Sequence, residues 1–308
     1  MRRLPFVLAL LLAPFAAAAD CTNVAFDPAQ LRRLDGSDVY APFDGITYVA
    51  RYGLTLRRGP ADGGADCALY VVGAGEGPDR RLHGPGGGEI AYVLDRFKDQ
   101  PLAFPVGTRG FDAGNAVPVV VPAAANSTAE AAFLVRIPAN QVSAPAGGYA
   151  DNTLDLEART ADAAFAPVDR TPVTLTLTVA PAVQILLAGN RTEGVVDFGE
   201  LERGETGFAA LYVTANTGYD LRFDADSLAA GAPALRRVEG GAYDGAWSLP
   251  YDATLDGAPV AFDAPVATDP AKPGDARRAL RFRITGNPDR VRAGRYKDVV
   301  TIEIRARP

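Results

Sequence analysis

Apolar and polar residues alternate in several short segments of the chain, which is the pattern of β-strands with one buried face. The clearest example runs from 300 to 307, where every second residue is apolar: Val300, Ile302, Ile304 and Ala306. A second run, at 173–179, alternates valine or leucine with threonine. Because this period of two recurs and long helical periodicity does not, the sequence predicts an all-β fold.

A short motif before the last strand occurs twice, 147 residues apart (294 minus 147). The first copy is Gly147-x-Tyr149-x-Asp151 and the second is Gly294-x-Tyr296-x-Asp298. Upstream, segment 132–137 corresponds to 279–284, and Tyr92 corresponds to Tyr251. A repeat with so long a period indicates two related domains. The copies differ by one residue after the aspartate, so we expect a β-bulge in one of them.

The first 19 residues have the features of a secretory signal. Arg2 and Arg3 precede an apolar run at 4–15, and Ala17-Ala18-Ala19 supplies a cleavage site. No other segment is long and apolar enough to span a bilayer, so we expect no membrane span after cleavage. A net charge of −6 without a basic run argues against nucleic acid as a partner.

Length and repeat together divide the chain into four parts. We expect a signal peptide at 1–19, an N-terminal domain at 20–160, a linker and possible completing strand at 161–179, and a C-terminal domain at 180–308. The two cysteines, Cys21 and Cys67, both fall in the N-terminal domain. In an exported protein they are expected to form a disulfide bond, worth about 4 kcal/mol in the chain-entropy model.

The sequence offers little catalytic chemistry, and we expect neither an enzyme nor a cofactor or metal site. Its one histidine, His83, precedes a glycine-rich loop at 84–88 that lacks the ending of a phosphate-binding loop. No cluster of cysteine and histidine is spaced to hold zinc. A pair of carboxylates of the glycosidase type stays open at this stage, since acidic residues are numerous and scattered.

Both motif copies, with the residues around them, resemble the spore coat protein U domain, the pilin-like domain of archaic chaperone–usher pili. In the first half the resemblance covers 136–141 and the first copy of the motif. In the second half it runs through Val196-Asp197-Phe198-Gly199, 211–214, 219–221 and the second copy. Ala215 departs from the pattern, because such domains usually have a cysteine there.

The resemblance implies two tandem immunoglobulin-like, pilin-like β-sandwich domains, of which the C-terminal one lacks its last strand. A periplasmic chaperone fills such a gap, and at the outer-membrane usher the adjacent pilin subunit's donor strand replaces it. The edge of this donor-strand groove would then be Val300, Ile302 and Ile304. The structural residues of the family motifs would be Gly147, Tyr149, Asp151, Phe198, Gly199, Gly294, Tyr296 and Asp298.

We therefore expect an exported pilus subunit at the cell surface, at the fibre tip, that mediates attachment to an abiotic or host surface or biofilm formation. The tip position follows from Cys21, which leaves no free donor strand before it. Segment 173–179 is expected to complete the first domain. The candidates for surface binding are Val117, Val119 and Val120. The prolines at 118 and 122 within the same apolar run also suit an edge strand.

Two alternatives remain open from the sequence. One is a self-contained secreted or coat-layer structural protein that never enters a fibre. The other is a carbohydrate-binding module whose stacking platform is Trp247, Tyr243 and Tyr251, although aromatic residues at a strand start are more often part of a core.

Overall fold

The computed structural model describes residues 21–27, 31–60, 64–74, 80–97, 100–103, 113–162, 164–228, 232–262, 264–268 and 274–307. These residues form 22 β-strands and three single-turn 3₁₀ helices, and no α-helix occurs among them. The prediction of an all-β fold is therefore confirmed. The expected signal peptide lies outside the described residues.

The first part of the chain forms one sheet of twelve strands around one hydrophobic core. The main path orders the strands β1-β4-β10-β7-β6-β11-β12-β3. Their bounds are β1 Val24–Phe26, β2 Arg32–Asp35, β3 Val39–Tyr40, β4 Tyr48–Arg58, β5 Cys67–Ala74, β6 Arg80–His83, β7 Glu89–Phe97, β8 Gln100–Pro101, β9 Val117–Val121, β10 Thr128–Ile137, β11 Gly147–Thr160 and β12 Pro167–Val179, with 3₁₀ helices at Pro85–Gly87 and Ala113–Asn115.

The second part packs a seven-stranded sheet, ordered β13-β14-β20-β17-β16-β21, against a three-stranded sheet, ordered β19-β15-β22. A second core, separate from the first, lies between them. The bounds are β13 Val183–Leu187, β14 Thr206–Ala215, β15 Tyr219–Ala225, β16 Ala234–Glu239, β17 Ala242–Leu255, β18 Ala258–Pro259, β19 Val266–Thr268, β20 Gly274–Ile284, β21 Arg295–Lys297 and β22 Val300–Ala306, with a 3₁₀ helix at Pro288–Arg290.

A disulfide bond joins Cys21 to Cys67, across 46 residues of sequence. Both cysteines belong to the first core, where Cys67 is 0 % exposed. The bond ties the chain just before β1 to the start of β5. The second core has no such cross-link among the described residues.

Strand β12 contributes to the first core from within the chain. It pairs with β11 along an antiparallel ladder that runs from Gly147–Val179 to Arg159–Pro167. Its alternating apolar residues are buried in the first core: Val173, Leu175, Leu177 and Val179. Most of the segment expected as linker and possible completing strand is thus regular β-structure.

The β-bulge expected after the repeated motif lies in the first copy. The β11–β12 ladder pairs Asp151 with Leu175 and then Leu154 with Val173, so β11 carries one residue more than β12 between these pairs. With that residue counted, Leu154 of the first copy corresponds to Val300 of the second. The bulge thus returns the apolar positions of both copies to the same face.

The glycine and tyrosine of the motif play the same role in both copies. Gly147 and Gly294 have φ angles of 134° and 155°, a conformation that residues with a Cβ rarely adopt. Tyr149 donates a hydrogen bond to the Pro145 carbonyl oxygen at 2.9 Å. Tyr296 donates to the carbonyl oxygen of Arg292, also four residues earlier, at 2.6 Å. Each tyrosine therefore closes the turn that leads into its strand.

The aspartate of the motif anchors each half through a buried tyrosine. Tyr92 donates to Asp151 at 2.6 Å, and Tyr251 donates to Asp298 at 2.9 Å. These are the two tyrosines that correspond in the repeat. Burial, followed by the neighbouring carboxylate, raises the pKa of both tyrosines. The repeat thus conserves a buried tyrosine–carboxylate contact in both halves.

Asp151 also forms a buried ion pair with Arg80, at 2.8 Å. Burial alone would raise the pKa of Asp151, but hydrogen bonds from Tyr92, Thr153 and Arg80 lower it below the ordinary carboxyl value. The carboxylate is therefore ionised in the folded chain at neutral pH, and it holds β6, β7 and β11 together.

Replacing Asp151 by asparagine is expected to cost about 3 kcal/mol of unfolding free energy at pH 7, because Arg80 loses its buried partner. The folded pKa lies below the unfolded value, so this contribution is present above about pH 4 and is lost as the pH falls through the folded pKa. The difference between wild type and variant should therefore shrink towards about pH 2. Urea unfolding at several pH values measures it.

The control is Asp155→Asn, which breaks an exposed pair with Arg170 and should cost less than about 1 kcal/mol. A loss at Asp151 that is no larger than the loss at Asp155 would contradict the anchoring role of the motif.

Candidate functional site

Strand β22 lies at the margin of its sheet. On one side it pairs with β15, from Ala225–Val300 to Tyr219–Ala306. On the other side no strand pairs with it within the described ranges. Its counterpart β11 has strands on both sides, namely β5 and β6 on one and β12 on the other. The position that β12 occupies beside β11 thus has no counterpart beside β22.

The burial of corresponding residues reflects this difference. In the first copy, the three apolar positions after the bulge are 0 % exposed: Leu154, Leu156 and Ala158. In the second copy, the corresponding positions are only half-buried: Val300, Ile302 and Ile304. The same pattern of sequence is therefore covered in one half of the chain and uncovered in the other.

The two cores as a whole show the same contrast. Among the described residues, 32 buried residues of the first core are joined by 4 partly buried apolar ones. Counted over the same ranges, 16 buried residues of the second core are joined by 14 partly buried apolar ones. Partly buried apolar surface that stays in contact with water contributes less than its full transfer free energy. The second core is therefore incompletely closed.

The other side of the opening is formed by β13, which pairs only with β14 among the described strands. Val183, Ile185 and Leu187 are half-buried and pack against the second core. We call the space between β13 and β22, lined by these three residues and by Val300, Ile302 and Ile304, the open groove. Sequence reasoning missed the β13 side. The alternation was present at 183, 185 and 187, but Leu186 interrupts it with a further apolar residue.

The open groove is narrow in the lone chain. Some Cα atoms of β13 lie within 8 Å of Cα atoms of β22, yet no ladder of hydrogen bonds joins the two strands. Neighbouring strands in a sheet are about 4.8 Å apart, so a strand between two others needs about 10 Å. A strand that pairs along the whole of β22 must therefore move β13 outward.

The outward face of the β15–β22 pair is electrically balanced. Arg222 is directly opposite Glu303, and Asp220 is directly opposite Arg305. Asp220 also lies 3.4 Å from the Arg307 guanidinium. Charge on this face therefore neither excludes nor selects a partner strongly, and recognition falls to the main-chain groups of β22 and the apolar side chains of the groove.

The remaining motif residues of the second half lie beside this core. Phe198 is half-buried against it, and Gly199 has a φ angle of 65°. The amide of Gly199 donates to the Asp197 side chain at 2.9 Å, which shapes the loop that returns towards β14. This loop brings Val196 and Phe198 against Gly207 of β14, where a Cβ atom would lie 2.2 Å from Val196 Cγ1.

The candidate surface-binding valines lie on β9, which pairs with β5. Val117 and Val119 face the core and are each 6 % exposed, whereas Val120 is 56 % exposed. Two of the three side chains are thus unable to touch an external surface while the strand keeps this packing. What remains of the candidate is Val120, at the margin of the sheet.

The aromatic platform considered for a carbohydrate-binding module does not form. Tyr251 is 3 % exposed and bonded to Asp298, so it belongs to the core. The Arg236 guanidinium covers the ring of Tyr243 at 3.9 Å from its centroid. Trp247 is half-buried and lines a shallow groove with Asn287. These three rings do not share one exposed face.

The structure adds little catalytic chemistry. His83 is exposed and lies 3.6 Å from the Glu89 carboxylate. Within the ranges that the structure describes, no three histidine, cysteine or acidic side chains come together as they would around a metal ion. None of the helices described there is long and apolar enough to cross a bilayer.

Neither a protein-family model nor a curated protein matches this chain. Among solved structures, the chain is similar to the complex of the CsuC chaperone with the CsuE tip adhesion subunit of archaic chaperone–usher Csu pili, from Acinetobacter baumannii. The identity is 15 %, with 78 % of this chain and 84 % of that chain covered, at a TM-score of 0.45.

A second similar structure is CfaE, the adhesive subunit of the CFA/I fimbria of enterotoxigenic Escherichia coli, with 14 % identity, 77 % and 81 % of the two chains covered, and a TM-score of 0.40. The CupB6 tip adhesin from Pseudomonas aeruginosa is similar at 14 % identity, with 92 % and 94 % covered and a TM-score of 0.33. At these identities and TM-scores, the similarity assigns neither the fold nor the function of this chain. Both are inferred from the residues of the chain itself.

Matched truncations in the two copies test the open groove. Leu156→Ala, at a position with 0 % exposure, is expected to cost about 2–5 kcal/mol. Ile302→Ala, at the corresponding half-buried position, should cost about 1 kcal/mol, because its side chain is already in contact with water. The single tryptophan, Trp247, reports unfolding of the second half by fluorescence, and circular dichroism reports the whole chain. Equal losses at the two positions would contradict an open second core.

Proposed function

We propose that this chain is a non-enzymatic, exported pilus subunit whose second half accepts a β-strand from another polypeptide. The observation that carries the proposal is the unequal burial of corresponding residues. Leu156 is 0 % exposed between β5 and the chain's own β12, whereas Ile302 is half-buried and only β15 pairs with its strand among the described residues. An exposed strand edge with an apolar row beneath it is the feature that strand addition uses.

The physical basis of acceptance is twofold. The free edge of β22 offers main-chain N–H and C=O groups that a donor strand can pair with, as β12 does with β11. Alternate apolar side chains of the donor would then cover Val300, Ile302 and Ile304 and displace water from the second core. In this proposal a periplasmic chaperone supplies the first such strand, and the adjacent pilin subunit supplies the next at the outer-membrane usher.

We further propose a place at the fibre tip. From Cys21 onward the described chain is committed to the first half, because the disulfide and β1 hold it in the sheet. In this proposal the chain accepts a strand without donating one, and its first half faces the surface to be bound. Immunogold labelling of fibres tests this position: label at fibre ends supports it, and label along the shaft contradicts it.

The acceptor function is tested by supplying the missing strand in cis. Residues 167–179, the sequence of β12, are appended after residue 308 through a flexible glycine–serine linker. Covering four apolar side chains contributes about 1.5–3 kcal/mol each at most, and ordering the extension offsets part of this. We expect the unfolding free energy of the second half to rise by about 2–4 kcal/mol. Urea unfolding monitored by Trp247 fluorescence measures this change.

The matched control carries the same extension with asparagine at the four positions that correspond to Val173, Leu175, Leu177 and Val179. This control keeps the main chain and the linker but removes the apolar row, so it should give no more than a small part of the gain. No stabilisation by the original extension, or equal stabilisation by the control, would refute the acceptor function.

A further inference from the structure

The outer face of the second half carries an unusual set of cross-strand neighbours. Strands β14 and β20 pair Phe208 with Arg281, Ala210 with Ala279, and Tyr212 with Arg277. Phe208 is 49 % exposed and Tyr212 is 44 % exposed, and both arginines are exposed as well. Two aromatic–arginine pairs therefore flank a small alanine pair on the side that faces away from the core.

These arginines have no carboxylate partner within the described residues, in contrast to others of the same half. Arg278, for example, points inward and pairs with Asp256. On the opposite sheet, Arg222 is directly opposite Glu303. Where β14 meets β20, an aromatic ring takes the place of the carboxylate. Nearby, Arg283 is directly opposite Asp252, whereas the register partners of Arg277 and Arg281 carry no charge.

We propose that this face, formed by Phe208, Tyr212, Arg277 and Arg281, binds an acidic polysaccharide of the polyuronate class. A guanidinium forms paired hydrogen bonds with a carboxylate, and an exposed aromatic ring offers a flat apolar face to the C–H side of a sugar ring. The two pairs are four residues apart along each strand, a distance of about 13–14 Å, which suits a ligand that repeats.

The position of the two strands argues against a peptide as the occupant. Strands β14 and β20 pair with each other along the whole of this face, and β13 and β17 pair with their outer edges at 211–215 and 280–284. The outer edges without a ladder partner among the described strands, at 206–210 of β14 and 274–279 of β20, are short and lie on opposite sides of the strand pair, so a peptide could not pair along the face as a strand. A nucleic acid is disfavoured by the net charge of the chain, −6, which lacks the broad positive field of such proteins. The site is independent of the open groove.

The experiment measures binding of the full chain to immobilised polygalacturonate at low and moderate salt. The ligand control is the same polymer with its carboxylates methyl-esterified. The protein variants are Arg277→Ser with Arg281→Ser, and Phe208→Ser with Tyr212→Ser. The matched control is Arg222→Ser with Arg305→Ser, which removes the same charge from the opposite sheet. Circular dichroism and thermal unfolding verify that each variant is folded.

We expect the wild type to bind the acidic polymer and to bind the esterified polymer at least about tenfold more weakly. Each pair of substitutions on the proposed face should weaken binding about tenfold, and the control pair should change it less than about twofold. The aromatic variant, which keeps both arginines, should also keep the salt dependence of the wild type.

Several outcomes overturn the proposal. The first is that the wild type does not bind polygalacturonate at low salt. The second is that it binds the esterified polymer as tightly as the acidic one. The third is that the control pair of substitutions weakens binding as much as the pairs on the proposed face. Binding of polyglutamate as tightly as polygalacturonate would show that charge alone is recognised. Sedimentation that shows self-association through this face, lost in the variants, without polymer binding would assign the face to a second copy of the chain instead.

Discussion

The structure depends on one constraint: the apolar residues of a strand leave water only when paired strands or other side chains cover both margins of that strand. Strand β11 meets this constraint within the chain, since β5, β6 and β12 flank it. Strand β22 has the same alternation, but only β15 pairs with it among the described strands. The half-burial of Val300, Ile302 and Ile304 follows from this difference.

The two halves are therefore two solutions to one packing problem. In the first half, thirteen residues, Pro167–Val179, form a strand that pairs with β11 and covers the core, and a disulfide bond adds a covalent cross-link. The second half keeps the buried tyrosine–aspartate contact that anchors the motif, Tyr251 to Asp298, but lacks both of these additions among the described residues. In the proposed function another chain supplies its closure, which would make folding of this half and assembly linked processes.

Much of the fold could be predicted from the sequence, because a period of two and a long repeat are local signals. The offset of one residue after the motif was enough to predict the bulge that lies between Asp151 and Leu154. The β13 side of the groove was missed, since Leu186 masks the alternation. Burial of Val117 and Val119, and the covering of Tyr243 by Arg236, depend on tertiary contacts that no local pattern contains.

Hydrogen exchange of the lone chain at the corresponding segments of β11 and β22 tests the central claim most directly. An edge strand over an incompletely closed core opens more readily than a strand flanked on both sides. The account predicts that amides of Val300–Ala306 exchange at least about tenfold faster than those of 154–160. Equal protection of the two segments would show that the second half is already closed, and would contradict the account.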